Sequence, residues 1–402
     1  MTPIPAAPAT PIPQTAPAFD FRPLLIAYMT CTMAMMGFVS VIGPIARLLH
    51  LAAWQAGAVI TVGGVLWMLL ARTWGAASDR LGRRRVLLAG VGGFAVSYCA
   101  MCAVAIVSLY LLPAANLFFA GLVLTRGAVG AFFAAIPSVS QALVADHLPA
   151  ERRAAAMASL GAANAIGLVL GPAVVAALTP LGLSLPLALI AVLPLLGLAL
   201  LWKALPDSRP ANGTATAGLR LADPRLRRPM AVAFVGMFCV SMAQITVGFF
   251  AIDQLGLAPE AAARTAGLAL AMVGVALIVA QLAVRRLGWS TRRLIRAGAL
   301  IGAAGFGAVP FASSGVMLEA AFFVAAAGMG WMFPAFAAMA SNAVAAHEQG
   351  AAAGSVGAAQ GLGIVLGPLV GTLLYEAGPG VPYALAALLL VLVAAWPARI
   401  RA

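Results

Sequence analysis

Residues 75–85 read GAASDRLGRRR and place five charged side chains between two apolar runs. The run at 53–73 precedes this segment and the run at 86–109 follows it. Each run has about the 20 residues that an α-helix needs to cross the hydrocarbon core of a bilayer. The segment is therefore predicted to be a short connection between two antiparallel membrane-spanning helices.

The rest of the chain repeats this pattern of apolar runs and short polar connections. Division at charges, prolines and turn residues gives twelve runs, at residues 23–46, 53–73, 86–109, 114–137, 154–178, 182–202, 230–252, 262–284, 294–312, 317–340, 350–375 and 380–397. The runs are near-continuously apolar and do not alternate, which favours helices over the strands of a membrane barrel. The predicted fold class is an all-α membrane protein with twelve transmembrane helices.

Composition excludes several classes of protein. Of the 402 residues, 63% are hydrophobic and 9% are charged, whereas soluble domains carry about 25% charged residues. A soluble enzyme, a nucleic-acid binder and a secreted disulfide scaffold are excluded as descriptions of the whole chain. The net charge of +13 lies in short loops, so the expected partner is the lipid bilayer and not nucleic acid.

The basic residues also predict the orientation. Of the 24 Lys and Arg residues, 21 lie in the termini and in alternate connections, Arg47 and Arg264 lie on the opposite side, and Arg126 lies within a span. The positive-inside rule places the side with more Lys and Arg in the cytoplasm. We therefore expect a multi-pass inner (plasma) membrane protein with both termini cytoplasmic.

The two halves of the chain repeat each other. Residues 159–172 read SLGAANAIGLVLGP and residues 355–368 read SVGAAQGLGIVLGP, identical at nine of fourteen positions. The longest connection, 203–229, separates the sixth and seventh runs. Two pseudo-symmetric six-helix bundles follow. The predicted domains are a disordered cytoplasmic tail (1–22), an N-terminal bundle (23–202), a cytoplasmic linker (203–229) and a C-terminal bundle (230–402).

The segment at 75–85 resembles the signature loop of the major facilitator superfamily, G-x-x-x-D-R-x-G-R-R. The resemblance covers the whole chain and implies a latch that holds the two halves together on the cytoplasmic side. Its residues would be Gly75, Asp79, Arg80, Gly82, Arg83 and Arg84.

The glycines and the acid of this segment are expected to have different roles. Gly75 and Gly82 are expected to allow a tight turn with positive φ, and Asp79 to accept hydrogen bonds from a helix N-terminus. A plain positive-inside anchor is the alternative, and it explains the arginines but neither the glycines nor Asp79. The second half has Arg285 at the position of Asp79, which predicts an asymmetric latch.

Arg126 is the one charged residue well inside an apolar run. Such a charge is costly unless it faces water, a partner or the bundle interior, which makes it a functional candidate. With Gly130 it resembles the Leu, Arg and Gly pattern of the family's fourth span, where the arginine serves proton coupling or substrate contact. Pairing with a backbone carbonyl is the alternative.

A glycine pair and a proline occur in the fifth span, at Gly167, Gly171 and Pro172, and again in the eleventh, at Gly363, Gly367 and Pro368. Small residues four apart allow close helix packing, and a proline kinks a helix. The fifth-span pattern resembles a motif of the family's exporters, although Val175-Ala176 replaces the expected Gly-Gly. Simple packing is the alternative.

A central cavity is expected at mid-span, with a soft lining of methionine, aromatic and amide side chains. The candidates are Met33, Met36, Trp67, Asn164, Gln244, Phe249, Trp331, Phe333 and Gln360. No acid lies mid-membrane, and Asp253, near the outer end of span 7, comes closest. A neutral, zwitterionic or anionic substrate therefore suits Arg126 better than a cation does.

The resemblance is to the twelve-span drug:proton antiporters, which include multidrug and tetracycline-type pumps and siderophore exporters. It implies a secondary active transporter that exports a small organic molecule by alternating access, with protons as the coupling ion. Arg126 favours a siderophore or another carboxylate-bearing compound. A proton-coupled symporter for nutrient uptake is the alternative.

Several kinds of chemistry are not expected. The one lysine, Lys203, follows Trp202 and not the glycine of a Walker A loop, so no ATPase site is expected. The three histidines form no catalytic constellation, and the four cysteines lie in apolar runs. Neither enzyme activity nor a metal or other cofactor is predicted.

Overall fold

The computed structural model describes residues 20–112, 114–147, 150–205, 223–345 and 348–396. These ranges contain thirteen α-helices and no strand. The helices are α1 (Arg22–Leu48), α2 (Ala53–Leu81), α3 (Arg83–Leu111), α4 (Ala115–Phe133), α5 (Ala135–His147), α6 (Ala150–Leu178), α7 (Ser184–Ala204), α8 (Arg227–Asp253), α9 (Pro259–Leu287), α10 (Thr291–Ala308), α11 (Gly315–Asn342), α12 (Gln349–Ala377) and α13 (Val381–Ala395).

These helices make twelve membrane spans. Eleven described segments are long and apolar enough to cross a bilayer, and Val381–Ala395 is a shorter apolar helix. Helices α4 and α5 form one of these spans, interrupted at Ala134. The predicted fold class is confirmed. Most of the predicted tail and linker, residues 1–19 and 206–222, lies outside the described residues.

The helix ends follow from local sequence. Proline occupies the first turn of α1, α9 and α13, where its missing N–H costs no hydrogen bond. Gly82 joins α2 to α3 with φ of 91°, and Gly288 ends α9 with φ of 56°. The expected positive φ therefore occurs at Gly82 only, because Gly75 lies inside α2 and helical geometry requires negative φ.

The two halves, α1–α7 and α8–α13, use the same helix pairings. In the first half α1 packs against α6, and α3 packs against α4 and α7. In the second half α8 packs against α12, and α10 packs against α11 and α13. Leucines such as Leu117 and Leu124 point outward and are mostly exposed, as expected for a surface that faces lipid. The halves meet through the pairs α1–α8, α2–α12 and α6–α9.

Candidate functional site

The two halves approach each other closely where glycines face proline carbonyls. A Cβ atom added to Gly57 of α2 would lie 2.6 Å from the carbonyl oxygen of Pro368 in α12. A Cβ atom added to Gly267 of α9 would lie 2.7 Å from the carbonyl oxygen of Pro172 in α6. These two contacts involve equivalent helix pairs and equivalent prolines, although the two glycines lie one turn apart in the repeat, and neither contact leaves space for a side chain.

Further contacts between the halves lie at the same end of the bundle. A Cβ atom on Gly43 of α1 would lie 3.0 Å from the carbonyl carbon of Gly248 in α8. The Thr61 hydroxyl donates a hydrogen bond to the Val365 carbonyl oxygen at 2.9 Å. We call this end the Arg47 face, because Arg47 lies there at the end of α1. It is closed.

At the opposite end the halves diverge. We call this end the basic face, because it carries Arg80, Arg83, Arg84 and Arg85 and the arginines at the start of α10. In α6 and α12 the glycines nearer the basic face have open space around them, with no atom within 4 Å of an added Cβ; these are Gly161, Gly354, Gly357 and Gly361. A cleft between the halves therefore opens toward the basic face.

An ion pair links the halves at the Arg47 face. Arg47 of α1 donates to both carboxylate oxygens of Asp253 in α8, from Nε to Oδ1 at 3.1 Å and from Nη2 to Oδ2 at 2.7 Å. The Tyr375 hydroxyl of α12 donates to Oδ2 at 3.0 Å. Among ion pairs between described residues, only this one joins the two halves.

Aromatic and backbone contacts surround this pair. The Arg47 guanidinium carbon lies 4.9 Å from the ring centroid of Phe249, a distance at which a cation is attracted to the ring face. One residue beyond Tyr375, Glu376 accepts a hydrogen bond from the backbone N–H of Trp54 in α2 at 3.2 Å. The Arg47 face is thus fastened through α1, α2, α8 and α12.

Arg126 lies inside the first half and is only 3% exposed. A Cβ atom on Gly63 of α2 would lie 3.3 Å from its Nε and 3.0 Å from its carbonyl oxygen. One turn further along α4, a Cβ atom on Gly130 would clash with the carbonyl group of Gly63. The glycines therefore bring α2 and α4 together and leave space for the guanidinium.

The Arg126 guanidinium is short of partners. Its Nε and Nη1 atoms are buried and have no hydrogen-bond acceptor among the described residues. Tyr98 of α3 is its electrostatic neighbour, and the Tyr98 hydroxyl donates to the carbonyl oxygen of Ala34 in α1. An unsatisfied buried donor costs about 1–3 kcal/mol, and more if it is charged. A water molecule or an anionic group in this position would remove that cost.

The residues predicted to line a cavity are distributed over several environments. Asn164 and Gln360 occupy equivalent positions of the repeat on α6 and α12, and Asn164 accepts a hydrogen bond from Thr32 at 3.1 Å. Trp67 is partly buried, and its Nε1 has no partner among the described residues. Met36 and Gln244 are also partly buried.

Other members of the predicted lining lie elsewhere. Phe249 is fully buried beneath Arg47 at the closed face. Trp331 packs against Trp289, which lies beyond the end of α9 near the basic face. Phe333 contacts Phe336 of the same helix. Met33 is buried where α1 meets Gly171.

The predicted latch makes its described contacts within the first half. Arg83 Nη1 lies 2.5 Å from Asp79 Oδ1, and its Nε donates to Asp146 of α5 at 2.8 Å. Arg84 Nη2 donates to the Trp202 carbonyl oxygen at 3.2 Å. Asp79 belongs to the last turn of α2, where its carboxylate faces Arg83, and its side chain is 48% exposed. The side chain of Arg285 lies outside the described residues.

The glycine pairs of α6 and α12 face the first helix of their own half. An added Cβ atom on Gly167 would lie 2.6 Å from the carbonyl oxygen of Met29 in α1, and one on Gly171 would clash with the carbonyl oxygen of Met33. In the second half, Gly363 and Gly367 make the equivalent approach to the carbonyl oxygens of Phe234 and Phe238 in α8, at 2.7 Å and 2.8 Å. Each proline-containing helix thus packs on its own half through glycines and on the other half through the proline carbonyl.

The profile of the major facilitator superfamily matches residues 24–354 and 264–400. The chain belongs to this superfamily. Among curated members, it is 29% identical over 342 residues to the class C tetracycline resistance protein of Escherichia coli, covering 80% of each chain. It is 27% identical over 341 residues to the class G protein of Vibrio anguillarum, covering 81% of each.

Solved structures of major facilitator proteins share the fold at low sequence identity. A bacterial homologue of the human lysosomal transporter Spinster, in an inward-facing and unoccupied conformation, superposes with a TM-score of 0.72 at 15% identity, covering 93% of this chain and 94% of that one. A mutant of the nucleoside transporter NupG gives 0.71 at 13% identity, covering 92% and 97%. As a member of this superfamily, the chain is a multi-pass membrane transporter.

The cluster at the Arg47 face was not predicted from the sequence. Arg47 and Asp253 are 206 residues apart and belong to no motif. One signal was present: Arg47 is one of only two basic residues on its side of the predicted topology. A solitary arginine at a span end, with an acid at another span end on the same side, can indicate a pair.

We predict that Asp253→Asn will favour opening of the Arg47 face. The change keeps the size of the side chain and removes the charge, and a partly exposed ion pair contributes about 0.2–1 kcal/mol. The population open at this face should rise by a factor of about 1.4 to 5. Spin labels on cysteines at His50 and Glu260, one in each half, would report this as a longer distance by electron resonance.

Two further variants make this test specific. Glu319→Gln removes an acid whose electrostatic neighbour, Arg264, belongs to the same half, so it should leave the distance unchanged. The exchange Arg47→Asp with Asp253→Arg should restore the original distribution. An unchanged distribution in Asp253→Asn would show that the charge of Asp253 does not help to hold this face closed.

Proposed function

We propose that this transporter exports a small organic molecule with an anionic or zwitterionic group, driven by the proton gradient. The observation that carries the substrate class is the buried Arg126 guanidinium, which has two unpartnered donors. No described acid forms an ion pair with it. A carboxylate is a strong acceptor for such charged donors, so the site favours a substrate with an acidic group, such as a siderophore or an acidic drug.

The direction of transport rests on the curated relatives. Both are named for resistance to tetracycline, and a transporter protects a cell from a toxic compound by moving it outward. The glycine and proline pattern of α6, which resembles that of the exporters, supports the same direction. We therefore propose export, and we treat uptake by symport as an outcome that the experiments below can reveal.

The basic face is proposed to be cytoplasmic, since positively charged loops are retained on that side. The structure then represents the inward-open state, in which a substrate enters the cleft from the cytoplasm. Transport requires the Arg47 face to open and the basic face to close as the two halves rock against each other. Differential binding of substrate to the two states drives this change.

In the state closed at the basic face, we propose that the loop at 75–85 engages the second half. In the inward-open state the Asp79 carboxylate is paired with Arg83 of its own half, and its half-exposed position leaves it accessible to a new partner. The loop is therefore poised as a latch that forms only when the cleft closes. The corresponding loop of the second half has Arg285 in place of the acid, so only the loop of the first half is proposed to act as a latch.

Proton coupling is proposed because the chain has no nucleotide-binding loop of the Walker type. An uncoupler that collapses the proton gradient should abolish transport while ATP is still present. The measurement is substrate movement into inverted vesicles, with ATP supplied and the gradient set by pH. Accumulation that survives the uncoupler would point to another ion. Accumulation only in right-side-out vesicles would show that the protein is an importer.

We predict that substitutions of Arg126 reduce transport, and that alanine reduces it more than lysine does. Arg126→Lys keeps the charge without the planar fork and should retain partial transport. Arg126→Ala should lose about 10- to 100-fold in apparent affinity for a carboxylate substrate, as expected for a charge-assisted hydrogen bond of about 1.5–3 kcal/mol. The measurement is transport against substrate concentration at matched membrane abundance. Normal transport by Arg126→Ala would remove the argument for an anionic substrate.

For the latch, we predict that Asp79→Asn slows turnover by about tenfold, the factor that corresponds to 1.4 kcal/mol. Insertion and abundance should be normal, because the side chain keeps its size. The matched variant Arg285→Ala should be milder, since its loop lacks the acid. Turnover numbers of purified protein in proteoliposomes would compare the two. Equal losses would contradict the asymmetry of the latch.

A further inference from the structure

A pocket separate from the central cleft lies at the basic face of the second half. It is an open pocket between the first turns of α8 and α10 and the last turn of α11, and its volume is about 380 Å³. Its polar lining comes from Arg228, Thr291, Arg292 and Asn342, and its apolar lining includes Ile295 and Met339. None of these residues belongs to the proposed transport site.

Positive charge accumulates at this pocket. Arg228 interacts electrostatically with Arg292 and Arg296, which are four residues apart on α10, and like charges at this spacing destabilise a helix. Arg228 Nη2 donates to the Trp396 carbonyl oxygen at 3.2 Å. Its Nε is buried and has no partner among the described residues. An anion in the pocket would relieve both the repulsion and the unsatisfied donor.

The described acids nearby are engaged by another arginine. Arg225 donates to Asp223 Oδ2 at 2.8 Å and to both oxygens of Glu348 at 2.9 Å. Hydrogen bonds from Arg225 lower the pKa of the Asp223 carboxyl, so this group stays ionised and paired. Within the described part of the chain, no ion pair joins Arg228, Arg292 or Arg296 to a carboxylate.

The level of the pocket in the bilayer is marked by two tryptophans. Trp289 lies just before α10 and Trp396 follows α13, and the two are 38% and 44% exposed. Tryptophan is enriched where the hydrocarbon core meets the headgroups. The arginines therefore lie at headgroup depth, and Ile295 and Met339 form an apolar wall beside them. A ligand that fits both parts is anionic at one end and apolar at the other.

We infer that this pocket binds the phosphate group of an anionic glycerophospholipid. Arginine forks match the geometry of phosphate oxygens, and basic pockets between helices on the cytoplasmic side of membrane proteins bind acidic headgroups. The Thr291 hydroxyl adds a donor to the lining, and the N-terminal end of a helix such as α10 favours an anion. Free inorganic phosphate shares this chemistry but has no apolar group to pack against the apolar wall.

The test measures binding of phosphatidylglycerol to the purified full-length protein in detergent by native mass spectrometry. Phosphatidylcholine, which has the same phosphodiester but no net charge, serves as the reference lipid. Arg228→Gln with Arg292→Gln should weaken phosphatidylglycerol binding by about tenfold or more, because two charged donors are lost. Arg293→Gln is the matched control: Arg293 neighbours Arg292 on α10, is exposed, and does not line the pocket.

Each result of this experiment supports or overturns the inference. Selective loss in the double variant, with binding unchanged in Arg293→Gln, supports it. Equal loss in both variants would show general attraction to positive charge, and displacement of the lipid by millimolar inorganic phosphate would assign the pocket to a soluble anion. Arg228→Lys with Arg292→Lys keeps both charges and should retain part of the binding. This result would show that the loss in the glutamine variant does not come from misfolding. The result is independent of the substrate and direction of transport, because only lipid binding is measured.

Discussion

Backbone contact between glycines and proline carbonyls holds the two halves together, and the rest of the architecture depends on it. Within a bilayer, burial of apolar side chains supplies no driving force between helices, so association relies on close packing. Gly57 against Pro368 and Gly267 against Pro172 provide that packing between symmetry-related pairs of helices. Because both contacts lie on one side of the membrane, the same helices can separate on the other. The cleft is a consequence of where these contacts are placed.

The polar groups divide between two kinds of environment. At the Arg47 face, Arg47, Asp253 and Tyr375 satisfy one another across the halves, so that face has little electrostatic need for a ligand. Inside the first half, Arg126 has no such partner among the described residues. The saturated cluster at the Arg47 face thus resists separation of the halves, whereas Arg126 can gain from a ligand. This difference separates a structural contact from a candidate binding residue more clearly than position in the sequence does.

Much of the fold could be predicted from the sequence, because the bilayer imposes a length and a composition on every span. The repeat at 159–172 and 355–368 was visible because the contacts of Gly167 and Gly363 require the same small residue in both halves. The contacts of Gly57 and Gly267 were missed because glycines are common in spans and these two belong to no recognisable repeat. The unpartnered state of Arg126 required the structure, since a sequence cannot show which atoms lack an acceptor.

The contacts that close the Arg47 face are weak enough for that face to open during transport. A partly exposed ion pair contributes about 1 kcal/mol or less. The halves touch through glycines at the Arg47 face and leave a cleft at the basic face. Alternation between two conformations requires that their free energies differ by only a few kcal/mol. A substrate group that satisfies Arg126 in one state more fully than in the other supplies about 1.5–3 kcal/mol, which is a shift of about 10- to 100-fold. Under the proposed mechanism, a single buried arginine whose donors are unpartnered among the described residues supplies enough energy to couple binding of a small anion to the rocking of the two halves.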